Sequence, residues 1–543
     1  MNRALLRERL NRAELLALPV SERNRPLSVA VHRNHAFELV ASVLNPFLNE
    51  SGVTAVFHYS GYDDSLAFGS APSEADLHLV WLDCGRYENL DTPRSSGRSE
   101  GLAAWLAGRL AALREMTVKP VLVACCGASD GAGIEAVLPA DALYCDLDAA
   151  LGPDTTVYSD RLEAFTGTRL TNEGALLAAR LLGLRYIPAL TVPALKALVL
   201  DLDNTLYEGV LGEDGPDGVK PYEELQHHLK SLAAQGFLLA LSSKNEERDV
   251  RELFARRRDF PLAWGDFAAT AVGWMPKAEG ILSIAEAFNI GTDAMLFVDD
   301  NPGEIAQAAH AVPGLRVLAA GSEAETLAAL RWQPGLFKVR LTHEDALRGA
   351  DIAANARREA LRKAVSPREY LRELEIELTF YVNPVAQQAR ITELLNKTNQ
   401  FILAYRRSNE SETAAFLQGD GACVVTAAMK DRLSDSGVIA VALLERQKGT
   451  AVLCELAVSC RALGRGIEGD MIAKMLTLGC ETLGTGKALF AEYERGPRNG
   501  PGLAWLQGVA GAQLADKGRV MLAPLPVADL DMVSVIVRKG EPQ

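Results

Sequence analysis

Two aspartates one residue apart, Asp201 and Asp203, stand directly after the apolar run Ala197–Leu200 and are followed by Asn204 and Thr205. Carboxylates at the mouth of a buried strand repel one another and lose hydration, so the spacing calls for a cation or a substrate to compensate them. Three further stretches supply complementary groups: Ser242, Ser243, Lys244 and Asn245 in "LSSKN", Lys277 in "GWMPKAEGI", and Asp299, Asp300 and Asn301 in "MLFVDDNP". Together they provide carboxylates for a hard divalent cation, two lysines, and hydroxyls able to hold phosphate oxygens. That set suits phosphoryl transfer through a carboxylate nucleophile, because the charge of an incoming phosphate dianion needs both a cation and lysine to offset it. Singly, each piece has a bland reading: an N-cap cluster, a solvated lysine, a turn. Their order, each after a strand-like run, is what favours the chemical reading.

Those side chains need elements to hold them at one place. Apolar runs "ALVLD", "FLLALSS", "AMLFVDD" and "LRVLAA" alternate with amphipathic helix patterns such as 222–234, which is the rhythm of a parallel α/β sheet. In such sheets ligands sit at the carboxyl ends of the strands, and each polar signal falls there. Before this block, "LSVAVH", "VTAVFHY", "LHLVWLD" and "PVLVACC" give a second βαβ rhythm. After a charged helical connector over about 342–373, longer alternating runs ("IELTFYV", "CVVTAAM", "GVIAVALL", "TAVLCELAVS") predict a mixed or antiparallel sheet. The expected organisation is three domains: 1–190, 191–340 and 341–543.

Composition narrows the function. A chain of 543 residues is too long for a single core. Its net charge of -14 argues against a general nucleic-acid or membrane-surface binder, both of which favour basic faces. The first eighteen residues form a charged amphipathic pattern without a signal-like apolar core, and no stretch has the length of uncharged apolar residues that spans a bilayer. A cytoplasmic location is expected. The eight cysteines are scattered in apolar surroundings without CxxC spacing, which predicts reduced core residues.

The spacing DxDxT, then Ser, then Lys, then DD resembles the haloacid-dehalogenase (HAD) phosphatase superfamily over about residues 196–320. "LDLDNTLYEGVLGEDG", "LSSKNEERDV", "WMPKAEGI" and "MLFVDDNPGEIAQ" resemble its FkbH-like subgroup, subfamily IIIC. The resemblance implies Asp201 as nucleophile, Asp203 as general acid and base, and Thr205, Ser243, Lys244, Asn245 and Lys277 as phosphate- or substrate-binding residues. It also implies Mg²⁺ held by Asp201, Asp203 through its carbonyl, and Asp299, with Asp300 close by. Tyr207 and Glu208 stand where the subgroup's pattern usually shows Trp-Gly, a departure just after the catalytic turn.

In the last block, "NKTNQFILAYRR", "DRLSDSGVIAVALL", "VSCRALGRGIE" and "YERGPRN" follow the same subgroup's order. The RxxGxG loop at 461–466 lies between a strand and a helix, where backbone N–H groups can meet a pyrophosphate, and resembles GNAT-type acyltransferases. Arg461, Gly464, Arg465 and Gly466 are therefore expected at a thioester or phosphopantetheine site, which could belong to coenzyme A or to an acyl carrier protein. Cys460 is the candidate acyl-carrying thiol, against a buried structural cysteine. Asn399 and Gln400 are expected to line the acyl site, against helix capping. The first block resembles an SGNH-hydrolase-like domain but lacks its serine nucleophile, so a non-catalytic scaffold or docking module is expected, with His32 and His35 read as structural or surface residues. The expected fold class is α/β: an SGNH-like domain, a HAD-like Rossmannoid parallel sheet, and a GNAT-like mixed α+β domain. The function that the resemblance implies is transfer of a glyceryl unit from 1,3-bisphosphoglycerate to an acyl carrier protein with dephosphorylation. The alternatives are a phosphatase acting on a free phosphorylated metabolite and a non-catalytic carrier-protein scaffold.

Overall fold

Among the described residues, sheets of five, five and seven strands follow one another along the chain, with a two-stranded ribbon beside the second. The computed structural model describes residues 2–539 apart from 63–64, 69–73, 92–100, 118, 129–130, 140–141, 153–155, 339–350, 352–353, 355–356, 359–360, 409, 487, 497 and 523–527. The chain divides into two compact units, Met1–Leu195 with Leu318–Arg340, and Lys196–Val317 with Leu341–Gln543. The first part of the expected connector, 342–350, lies outside the described residues. Its last part is the helix Pro367–Leu374, opened by a capping box between Ser366 and Glu369.

The first sheet joins β1 (Arg25–Arg33), β2 (Val53–Tyr62), β3 (Leu77–Asp83), β4 (Val121–Cys126) and β5 (Ala142–Asp146) in the order β2-β1-β3-β4-β5. All its pairings are parallel, and β3 and β4 are buried along their whole length, as expected where helices cover both faces. The two histidines noted in the sequence are interior residues. His32 Nε2 and His78 Nδ1 lie 3.0 Å apart with their rings stacked, and His35 Nδ1 lies 3.0 Å from Thr168 Oγ1. Burial holds both His32 and His78 down at about 4, His32 further disfavoured by His78, and His78 by Arg114. A group whose folded pKa is depressed below its unfolded value keeps its proton off in the native state only, so stability falls as pH drops from about 6.5 towards 4. Chemical denaturation of the full chain is expected to lose about 2 kcal/mol or more of stability between pH 7 and pH 5 from these rings. A flat midpoint across that range would contradict the buried neutral pair.

The second sheet joins β6 (Ala197–Leu200), β9 (Leu238–Ser243), β10 (Ala269–Val272), β11 (Met295–Asp299) and β12 (Arg316–Ala319) in the order β10-β9-β6-β11-β12. The pairings of β6 with β9, β6 with β11 and β9 with β10 are parallel. Chain order therefore reverses at β6: the next strand, β9, lies on one side and β11 on the other. The carboxyl ends of β6 and β11 flank the crevice at this topological switch point. A short ribbon of β7 (Tyr207–Glu208) and β8 (Lys220–Pro221) closes the turn after β6.

The third sheet has seven strands, β13 (Glu377–Val382), β14 (Ala422–Lys430), β15 (Asp435–Gln447), β16 (Thr450–Val458), β17 (Leu489–Glu494), β18 (Lys517–Leu522) and β19 (Ser534–Lys539), in the order β18-β17-β16-β15-β14-β13-β19. It is mixed: β16 with β17 and β13 with β19 are parallel, the other pairs antiparallel. The fold is thus α/β with parallel sheets followed by a mixed sheet. All eight cysteines are free, seven buried and Cys460 half-buried. No helix among the described residues is long and apolar enough to cross a membrane.

Candidate active site

Strand β6 consists of four fully buried apolar residues, and its extended backbone delivers Asp201 to the crevice at 7 % exposure. The chain then turns sharply. Asn204 adopts a left-handed conformation (φ 50°), which Asn tolerates because its short polar side chain bonds locally; here its Oδ1 accepts the Gly209 N–H. Strand β11 ends in the same way with Asp299, 1 % exposed, and Asp300. Asn301 then caps the helix Pro302–Ala311 by accepting the N–H groups of Gly303 and Glu304. Lys277 opens the helix Lys277–Phe288 after Pro276, and its 4 % exposure marks it as an interior residue rather than a solvated helix lysine.

These elements bring the sequence's widely spaced signals together. Lys277 Nζ donates to Asp201 Oδ1 and to the Ser242 carbonyl, each at 2.5 Å, and lies 3.1 Å from Asp299 Oδ2. Burial raises the Asp201 carboxyl to about 6, with Lys277 pulling it down and Asp299 pushing it further up. Asp300 is also raised, first by burial and then by Asp299. One carboxylate oxygen from each of Asp201, Asp299 and Asp300 lies within 4.8 Å of the others. Three hard oxygen donors and a surplus of buried negative charge fit Mg²⁺. Thr205, expected to bind substrate, is buried at 1 % exposure, and its hydroxyl has no hydrogen-bond partner among the described residues.

Asp203 is held apart from this group. Its Oδ1 accepts the Tyr207 hydroxyl at 2.6 Å and the Leu211 N–H at 2.9 Å, and its Oδ2 accepts the Asn245 amide at 3.0 Å. Its carbonyl is the atom expected to serve the metal. Asn245 also donates to Ser243 Oγ at 3.1 Å, so the polar end of β9 holds the Asp203 carboxylate in place. Lys244 points elsewhere: it is exposed, and its Nζ pairs with Glu304 at 2.5 Å. Tyr207, the departure from the subgroup's pattern, thus holds the Asp203 carboxylate. Its signal was present, since a fully buried tyrosine four residues after a carboxylate needs a partner for its hydroxyl.

The residues expected at the acyl site occupy the third sheet. Cys460 begins the short turn Cys460–Ala462 after β16, packs against the apolar cluster of the second sheet together with Leu315 and Val317, and its carbonyl accepts the Asn289 amide at 3.2 Å. Arg461 is buried, and its carbonyl accepts from Arg465. Arg465 faces inward: at 3 % exposure its guanidinium pairs with Asp351 at 3.0 Å and with Asp431. Gly464 and Gly466 have positive φ, and the N–H between them, on Arg465, is taken by Glu468 Oε1 at 2.9 Å. Asn399 accepts from Arg407 at 2.8 Å through its side chain, and the carbonyls of Asn399 and Gln400 accept from Tyr405 and Gly502.

No family model and no curated protein matches the chain. Among solved structures, it is similar to the N-terminal part of a Bacteroides fragilis protein containing a phosphatase domain, complexed with Mg. The identity is 22 %, the match covers 62 % of this chain and 97 % of that one, and the TM-score is 0.44. It is also similar to an acetyltransferase of the GNAT family from Streptococcus pneumoniae at 13 % identity, over 27 % of this chain and 96 % of that one, with a TM-score of 0.20.

Proposed function

We propose that this chain is a Mg²⁺-dependent phosphatase of the HAD type that works on a small phosphorylated acyl unit delivered to an acyl carrier protein. Its three domains would be 1–190 as a non-catalytic SGNH-like scaffold, 191–340 as the phosphatase, and 341–543 as connector and GNAT-like domain. The observation that carries the reading is the convergence of Asp201, Lys277 and Asp299 at the switch point of the second sheet, because mutually repelling buried carboxylates have no structural use there. Asp201, Asp299, Asp300 and the Asp203 carbonyl would hold Mg²⁺, which offsets the charge of the incoming phosphate. Asp201 attacks phosphorus, the bond from phosphorus to the substrate oxygen breaks, and the leaving oxygen takes a proton from Asp203. Water then attacks the aspartyl phosphate and gives its proton to Asp203, and the bond to Asp201 breaks to release inorganic phosphate.

The substrate proposed is the glyceryl unit of 1,3-bisphosphoglycerate, in polyketide or related natural-product biosynthesis. A thiol attacks its acyl carbon, the bond from that carbon to the 1-phosphate oxygen breaks, inorganic phosphate leaves with the thiol proton, and the remaining phosphate monoester is cleaved at Asp201. Cys460 is the proposed first thiol, and the phosphopantetheine thiol of a carrier protein the second. The test is intact-mass spectrometry of the full chain with Mg²⁺, 1,3-bisphosphoglycerate and candidate carrier proteins, alongside Cys460→Ala. A glyceryl-sized adduct on enzyme or carrier that disappears in Cys460→Ala supports the reading. Phosphate release from free metabolites with no adduct anywhere reduces it to a free-metabolite phosphatase.

A further inference from the structure

Strands β16 and β17 pair in parallel only over Ala451–Leu453 against Leu489–Ala491 and then diverge, towards the end of β16 that leads into the 460–466 turn. A wedge between diverging strands leaves backbone donors and acceptors unpaired on both walls. Any extended arm whose phosphate end rested on the glycine-rich turn would enter the sheet here, adding itself as a strand. The wedge is already filled by this chain's own residues 401–404. Val458 N–H donates to the Phe401 carbonyl at 2.9 Å, Ile402 bridges Ala457 in antiparallel fashion, and Glu494 N–H donates to the Leu403 carbonyl at 2.9 Å. The segment thus bonds to both walls.

Its side chains alternate as in a strand. Phe401 and Leu403 join the apolar cluster on one face of the sheet and Ile402 the cluster on the other. Two buried polar residues lock it. Glu455, wholly buried in the middle of β16, accepts the N–H groups of Leu403 (2.9 Å), Ala404 (3.0 Å) and Arg406 (2.6 Å). Asn499, also wholly buried, donates to the carbonyls of Ile402 (3.0 Å) and Glu494 (2.9 Å). Gly502 lets the helix Gly500–Ala510 close over the segment, because a Cβ there would meet the Ile402 backbone at 3.1 Å.

We propose that residues 401–404, anchored through Arg406, are a permanent internal segment in place of a ligand's arm, so that the GNAT-like domain takes no coenzyme A. The turn below is equally committed, with the Arg465 N–H on Glu468 and its guanidinium on Asp351 and Asp431. A carrier-bound acyl unit then reaches the Asp201 crevice without passing through this wedge. The inference does not depend on Asp201 being a nucleophile.

The full chain, titrated calorimetrically with coenzyme A and with acetyl-coenzyme A, is expected to give no saturable binding up to millimolar ligand. Hydrogen exchange in the same samples is expected to find the amides of Leu403, Ala404 and Arg406 slow with or without ligand, and at least about tenfold faster in Glu455→Gln. Micromolar binding accompanied by faster exchange over 401–406 would overturn the proposal, since the segment would then be a displaceable strap over a working site. Fast exchange of these amides in the unliganded wild type would overturn it as well, whether or not Glu455→Gln folds.

Discussion

Asp201→Asn is expected to lower Mg²⁺-dependent phosphate release by at least about four orders of magnitude, the scale on which a covalent nucleophile is lost. The substitution keeps the side chain's shape, so the argument rests on charge. Asp201 is 7 % exposed and receives Lys277 at 2.5 Å on one oxygen; an amide oxygen can keep that hydrogen bond but cannot attack phosphorus. The same change is expected to leave a stable protein. Burial and Asp299 both disfavour the Asp201 carboxylate, and a neutral amide removes that cost when no cation is bound. In the mass assay the adduct should persist in Asp201→Asn as phosphoglyceryl rather than glyceryl, separating acyl loading from dephosphorylation. Phosphate release within tenfold of wild type would rule out Asp201 as the nucleophile, whatever the substrate.

The second sheet's site was legible because each of its groups follows a strand, and a parallel sheet with short connections leaves few places for strand ends to go. Asp201, Asp299 and Lys277 could be assembled from the one-dimensional order alone, and so could the sheet's parallel character. Side-chain direction could not. Lys244 sits in the bend just after the strand, between the buried Ser243 and Asn245, and turns outward to Glu304. The third sheet was legible as a mixed sheet, but its glycine-rich turn misled as to where arginine would point. Arg465 finds Asp351 and Asp431, residues 114 and 34 positions away, and pairing at such separations leaves no local trace in a sequence. One signal there went unread: Glu455 is the lone charge inside the apolar run "TAVLCELAVS", and a carboxylate at the centre of a strand must be satisfied by backbone donors from elsewhere. It was the pointer to residues 401–406.

Lys277→Met should cost both catalysis and folding, and the two losses should respond differently to Mg²⁺. Lys277 Nζ reaches Asp201 and Asp299 at 2.5 and 3.1 Å from a side chain that is 5 % exposed, so it is the protein's own counter-charge to two buried carboxylates. Methionine keeps an apolar stem of similar length and deletes the charge together with the Nζ hydrogen bonds to Asp201 and the Ser242 carbonyl. Removing one partner from a buried ionic group typically costs about 3–5 kcal/mol, because the remaining charges are left uncompensated. Metal-free Lys277→Met is therefore expected to be less stable than wild type by about that amount in chemical denaturation. Mg²⁺ supplies the missing positive charge at the same carboxylates, so it should stabilise the variant by more than it stabilises wild type. Activity should not recover in parallel. In the proposed mechanism the lysine also neutralises charge developing on the transferring phosphoryl group, and losing such a donor is expected to lower turnover by about 10²–10³-fold even where the fold is restored. Equal Mg²⁺ responses in the two proteins would mean that Lys277 is not the counter-charge that holds Asp201 and Asp299 together.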